Sequence, residues 1–182
     1  MVTIDLQPTL SEGEVTLRPL KASDWEGIYS VASDPLIWEL HPARDRWREP
    51  VFRVFFEDAL RSGGALAITR SATGEILGSS RFDRTRAENG EIEVGWTFLA
   101  RSEWGGQTNF TAKRLMVRHA LRHFQKVIFM IGEHNLRSRR AVEKIGASLT
   151  SRVVDVEMEG ANVLHVVYSI DRQGLSSGPL QG

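Results

Sequence analysis

A mixed α/β domain, with helices on both faces of a twisted and mostly antiparallel sheet, is the fold this chain predicts. Three features predict it. Turn signals separate short apolar runs in the first half, as hairpins require. The middle then alternates strand and helix patterns twice. The last part holds two strand-length runs about a Glu159-Gly160 turn. At 182 residues the chain suits one domain, since a ~150-residue domain already buries roughly 68–70% of its unfolded surface. We place that domain at 1–172 and read 173–182, rich in Gly and Ser, as a flexible tail.

Taken in order, residues 1–13 form a loose lead-in and 15–20 a first strand. Ser23 is placed to cap a helix, with Glu26 three residues later completing a capping box. Asp34-Pro35 ends that helix and opens a second, short one. Positions 36–50, with Trp38, His41, Pro42, Trp47 and Pro50, fit no regular pattern. A helix is expected over 51–61, turning Val51, Val54, Phe55 and Leu60 inward and stopping at Gly63-Gly64. Strands 65–70 and 76–84 make a hairpin about Ala72-Thr73-Gly74-Glu75. Asn89-Gly90 is a second tight turn. It introduces strand 91–99, where Ile92, Val94, Trp96 and Phe98 alternate with Glu91, Glu93, Gly95 and Thr97. Residues 109–124 carry the strongest helical pattern, with Ala112, Leu115, Met116, His119 and Ala120 on one stripe and Arg114, Arg118 and Arg122 on another face. A short buried strand over 127–131 follows. The next helix turns Ser138, Ala141, Val142 and Ile145 to one face and stops at Gly146, before two strands near 149–157 and 161–170.

Composition narrows the function. Lys+Arg and Asp+Glu stand at 23 each, so no broad attraction to nucleic acid or anionic membrane is expected. The chain has no cysteine, which excludes disulfides, thiolate zinc sites and a cysteine nucleophile and fits a reducing cytoplasm. Its five histidines lack ligand spacing, and no metal is expected.

The most informative stretch is Trp104-Gly105-Gly106-Gln107-Thr108-Asn109. A strand feeding a glycine turn that opens a helix leaves backbone N–H groups pointing out of the helix's positive end, where proteins hold phosphate. Asn135-Leu136-Arg137-Ser138 opens a second helix nearby. The two starts together suggest a ligand with a diphosphate and a long arm, hence coenzyme A. A nucleotide site is disfavoured, because no complete Gly-x-Gly-x-x-Gly or P-loop sequence occurs. Asn135 reads equally as an ordinary N-cap, Ser138 as a hydroxyl bonded to its own helix, and Glu93 as a polar residue paired with Arg81 or another base. Arg137, Arg139 and Arg140 read as a solvated helix face or, alternatively, as contacts to a phosphate of the cofactor.

Taken together these residues resemble a known family. Leu17-Arg18-Pro19-Leu20 with Asp24, Glu93-Val94-Gly95-Trp96, Trp104-Gly105-Gly106 with Asn109, Lys113, Leu115 and His119-Ala120, then Asn135-Leu136-Arg137-Ser138, the run 141–147 and Tyr168-Ser169-Ile170 follow one another in a specific order. That order resembles the GNAT superfamily of acetyl-CoA-dependent N-acetyltransferases, closest to the branch with the ribosomal-protein N-terminal acetyltransferases of RimJ/RimL type. The resemblance implies a GNAT acyltransferase fold. It also implies direct acetyl transfer from acetyl-CoA to a primary amine, on a peptide or protein N-terminus or a small molecule, without an acyl-enzyme. It makes Phe98, Leu99, Trp104, Gly105, Gly106, Gln107, Thr108, Asn109, Asn135 and Ser138 contacts of coenzyme A. Glu93 becomes the general base, directly or through water and with Glu91 as substitute, and Ser138 the proton donor to the leaving sulfur. The chain departs from the family at Gln107, which stands at a glycine position of the phosphate loop, and at Val142, which stands where many relatives place a tyrosine acid. Those departures keep one alternative open, a non-catalytic acyl-CoA-binding regulatory module of the same fold. A homodimer is compatible with either.

Overall fold

The computed structural model describes residues 4–158 and 160–181. Glu159 of the expected last turn and Met1, Val2 and Thr3 of the lead-in lie outside them, as does Gly182. The chain runs β1 (Leu10–Glu12), β2 (Val15–Pro19), α1 (Trp25–Ala32), α2 (Pro35–Trp38), α3 (Glu49–Ser62), β3 (Ala65–Arg70), β4 (Ile76–Asp83) and β5 (Glu91–Leu99). It continues with α4 (Thr108–Ala120), β6 (Lys126–Gly132), α5 (Leu136–Lys144), β7 (Ser148–Met158), β8 (Ala161–Asp171) and α6 (Arg172–Ser177). The strands form one sheet in the order β1-β2-β3-β4-β5-β6-β8-β7. Neighbours are antiparallel except β5 and β6, which run parallel. The predicted mixed sheet is therefore present, with helices on both faces.

Each face has its own core. On one side Leu17, Ile68, Phe82, Ile92 and Val94 of the sheet meet Met116 and Val117 of α4, Val142 of α5 and Ile145 at its C-cap. On the other, Leu20, Ala67 and Phe98 meet Ile28, Trp38, Phe52 and Phe56 of α1, α2 and α3. Among the described residues no helix is long and apolar enough to cross a membrane.

Four local expectations are corrected. The lead-in contains β1, which pairs Leu10 with Leu17 and Glu12 with Val15 about Gly13, a left-handed residue at φ 55°. The expected cap by Ser23 with Glu26 is absent: the N-cap residue of α1 is Asp24, and it makes no side-chain capping bond to that helix. The Asp24 carboxylate accepts the Lys21 N–H at 2.8 Å and both Arg18 guanidinium nitrogens at 2.8 Å, in a single-turn 3-10 segment, Ala22–Asp24. In α3 the inward stripe is Phe52, Phe56 and Ala59, spaced as one helical face, while Val54 is 65% exposed. Finally, the segment read as a flexible tail contains α6, whose N-cap Asp171 accepts the Gly174 N–H at 2.8 Å. Beyond it Leu180 is fully buried in the first core, an apolar anchor that the Gly- and Ser-rich composition conceals.

The corrected face of α3 has a direct test. Phe52→Ala is expected to cost about 3–5 kcal/mol, as large-to-small changes of buried phenylalanine do, whereas Val54→Ala stays within about 0.5 kcal/mol. Urea unfolding of the two variants measures both.

Candidate active site

The functional region is built where β5 and β6 separate. Their pairing is limited to Glu91↔Lys126, Ile92↔Val127 and Glu93↔Ile128. Beyond Ile128, β6 continues along β8 as far as Gly132, so a gap opens between it and the second half of β5. That half is also bulged. Across β4, Arg81 faces Gly95 and Ser79 faces Phe98, leaving Ser80 opposite both Trp96 and Thr97. Trp96 sits at φ 51°, the one non-glycine residue with positive φ among those described and a strained position for an aromatic residue. The extra residue reverses the alternation that the sequence predicts. Ile92 and Val94 enter the first core, but Phe98 enters the second and Leu99 the first. Phe98 and Leu99 thus offer the gap their backbone and not their side chains.

The gap ends at the glycine turn. Gly105 takes φ 75°, while Gln107, the N-cap of α4, lies in the ordinary helical region at φ −85°. A glutamine at that family glycine position therefore imposes no backbone strain. The Thr111 N–H is bonded to the Gln107 carbonyl at 2.8 Å, so the N–H groups from Gln107 to Phe110 point out of the helix end. The Trp104 indole donates to the Leu99 carbonyl at 3.2 Å, tying the turn to β5. The Thr108 hydroxyl donates to Glu103, which also accepts from Arg70 at 2.9 Å. Asn109 is half-buried beside them.

Across the gap, Asn135 fulfils its capping role, its Oδ1 accepting the Ser138 N–H at 3.2 Å. Ser138 is half-buried, and Val142, one turn further along, is buried. Two of the three arginines expected on a solvated face are instead engaged. Arg137 stacks 4.0 Å from the Trp104 ring centroid and bonds the Leu36 carbonyl and Glu39. Arg139 bonds the Tyr168 hydroxyl at 3.0 Å and the Glu133 carbonyl at 2.9 Å. Arg140 is exposed as expected.

Two buried charges flank the gap. Glu93 is fully buried and accepts from Arg86 at 2.6 and 3.1 Å. Burial pushes its carboxyl above the usual range, against the pull of Arg86. Arg81, the partner considered from sequence, pairs with Asp58 of α3 at 2.9 Å instead. Gly95 makes room for this carboxylate, since a Cβ there would stand 2.9 Å from Glu93 Oε1.

The second charge, Lys113, belongs to the family-like stretch, but its residue type concealed its place in the structure. It is 5% exposed and donates to the Thr97 hydroxyl at 2.6 Å. Its spacing with Met116, Val117 and Ala120 on α4 was the available signal. Burial lowers its pKa to about 7, partly opposed by Glu93. The unfolded chain holds that proton up to roughly 10.4. Between these values the unfolded state binds more protons, so Lys113 makes stability rise with pH across that window. Lys113→Met should remove this rise, which urea unfolding at pH 6, 8 and 10 measures as a wild-type deficit that shrinks toward pH 10.

A sequence-family model described as the acetyltransferase (GNAT) domain matches residues 14–148. Among solved structures, the chain is similar to a GCN5-related N-acetyltransferase from Brucella melitensis, at 18% identity over 96% of this chain and 82% of that one, with TM-score 0.80. It is similar to Mycobacterium smegmatis RimJ in complex with CoA-disulfide, at 17% identity over 95% and 91%, with TM-score 0.72. A third is the microcin C7 self-immunity acetyltransferase MccE in complex with acetyl-CoA and AMP, at 16% identity over 92% and 98%, with TM-score 0.73. No curated protein matches the sequence. A match that runs from the start of β2 into β7, and so takes in the parted strands and both helix starts, establishes that the chain belongs to the GNAT acetyltransferase domain family.

Proposed function

We propose that this acetyltransferase passes the acetyl group of acetyl-CoA directly to the α-amine of a peptide or protein N-terminus, in the manner of the RimJ/RimL branch. The observation that carries the reading is the unpaired, bulged half of β5 leading into a helix end with free N–H groups. The amides of the 104–109 turn would hold the pyrophosphate. The backbone of Phe98 and Leu99 would pair with the amides of the pantetheine arm, and the free amide of Asn135 would reach the same arm. A backbone N–H in the Val94-Gly95-Trp96 segment would polarise the thioester carbonyl. The complexes of RimJ with CoA-disulfide and of MccE with acetyl-CoA support coenzyme A as the ligand.

Chemistry needs a neutral amine and a place for its proton. An α-amine with pKa near ~8 is roughly one-tenth neutral at pH 7, whereas a lysine near ~10.4 is neutral about once in ~2,500. Burial strengthens Glu93 as a base, directly or through one water, and the α-amine asks the lesser shift of it. Ser138 serves the departing sulfur. No cysteine exists to carry an acyl group, which favours direct attack.

Two measurements check the reading. Glu93→Gln and Ser138→Ala are each expected to lower turnover at least fivefold, or roughly 1 kcal/mol of barrier, in a free-thiol assay across pH. Two variants that both keep wild-type rates would remove both assignments. Peptides with a free N-terminus should release thiol, and N-terminally blocked peptides that retain a lysine should not. The reverse preference would refute the acceptor class.

A further inference from the structure

The transfer chemistry just described gives Lys113 no task, although its position is an unusual one for a lysine. Its Nζ lies 2.6 Å from Thr97 Oγ1 and 5.5 Å from the centroid of the Phe129 ring. Thr97 is on β5 and Phe129 on β6, each past the last hydrogen-bonded pair, Glu93↔Ile128. A side chain that reaches both crosses the base of the gap where the strands have parted. An ammonium carries three N–H donors, and among the described residues the Thr97 oxygen is its one hydrogen-bond acceptor. The remaining donors are buried on a helix face whose other inward residues are mostly apolar.

The bond to Thr97 is not isolated. Thr97 Oγ1 lies 2.8 Å from Ser80 Oγ, and Ser80 Oγ lies 3.4 Å from the Gly95 carbonyl. Donors and acceptors are consistent along Lys113, Thr97, Ser80 and the Gly95 carbonyl, so the ammonium ends a chain that grips the bulge. The bulge also sets geometry. Glu93 leaves β5 on the side of Arg81 and α3, and Thr97 leaves it toward α4. The carboxylate and the ammonium therefore face the gap from opposite sides of the sheet. Glu93 is the charged group that acts on Lys113, while β4 and β6 present it with the Ser80 hydroxyl and the Phe129 ring.

We propose that Lys113 is a further catalytic residue of the acetyl transfer. Its ammonium hydrogen-bonds the thioester of acetyl-CoA from beneath the gap and stabilises the negative charge that develops there during attack. The proposal rests on the reading that places the thioester in this gap. The amine nitrogen forms the new C–N bond, the C–S bond breaks, and its electron pair leaves on sulfur. The proton lost by the amine passes through Glu93 to solvent, and the sulfur regains one through Ser138. Lys113 keeps its own proton throughout, so its contribution is electrostatic.

The test combines one variant with one spectroscopic measurement. Lys113→Met should fold and bind coenzyme A within threefold of wild type by calorimetry, because the phosphates and arm are held elsewhere. Its kcat at pH 7 should fall at least thirtyfold, the signature of an interaction made chiefly in the transition state. In wild-type protein carrying 13Cε-labelled lysine, acetyl-CoA should raise the titration midpoint of the Lys113 signal by half a unit or more. A folded Lys113→Met with kcat within threefold of wild type overturns the proposal. So does a Lys113 titration that acetyl-CoA leaves unmoved, a readout that holds whatever the acceptor is. Failure of wild-type protein to bind coenzyme A at all is a distinct result, which refutes the placement of the cofactor and the role of Lys113 with it.

Discussion

The parallel contact between β5 and β6 stops after three residue pairs, and the rest of the site depends on that stop. Backbone N–H and C=O groups inside a sheet are obligatory hydrogen-bonding groups, and a half-strand without a neighbour leaves a row of them unmet. At the outer edge of a sheet water satisfies such a row. Here the row lies in the middle of the sheet order, between β4 and β6. A ligand that presents amides at strand spacing completes it, as an added strand does in peptide recognition. The pantetheine arm has that chemistry, and the glycine turn at the end of β5 places a helix N-terminus where the arm's diphosphate would lie.

The bulge at Trp96 decides which side chains stand on each side of the gap. By adding a residue to β5 opposite Ser80, it rotates Thr97 toward α4 while Glu93 stays on the side of α3. A regular strand would put Glu93 and Thr97 on the same face, away from α4, and would take the Thr97 hydroxyl from the Lys113 ammonium. The strain of Trp96 is held by its surroundings. The Arg81 and Arg86 guanidiniums each lie 4.5 Å from its ring centroid, and the Ser80–Thr97 contact fixes the backbone beneath. Arg86 is shared between this ring and Glu93, so the orientation of the Glu93 carboxylate and the shape of the bulge are mechanically linked.

Much of this architecture is legible in the sequence, and the parts that are not share a cause. Strand and helix order, the glycine turn and the Asn135 cap are written in local patterns of two to seven residues. The bulge is not, because Ile92, Val94, Trp96 and Phe98 alternate without a break and only the partner strand reveals that one residue is extra. The same holds for the pairing of Glu93 with Arg86 in preference to Arg81. Both arginines lie within reach in sequence, and Asp58 on α3 decides which is free. Lys113 is hidden by residue type, since a lysine on an apolar stripe is ordinarily assigned to the surface. Leu180 is hidden by its Gly- and Ser-rich neighbours.

Val142 at the tyrosine position also follows from this geometry. A tyrosine acid is valuable when the leaving group must be protonated as it departs. A thiol, with an ordinary pKa near ~8.5, departs as thiolate at modest cost if a cation is close, and such a cation acts more strongly where water is excluded. In the proposed arrangement the Lys113 ammonium would be that cation, and Phe129 and Val142 are both nearly inaccessible to solvent. A phenol at this position, in the last part of α5, would add bulk one turn from Ser138, the residue proposed above to return a proton to the sulfur. Val142 is instead buried in the first core, and under the proposal above the charge that eases release of the sulfur would come from Lys113 on α4.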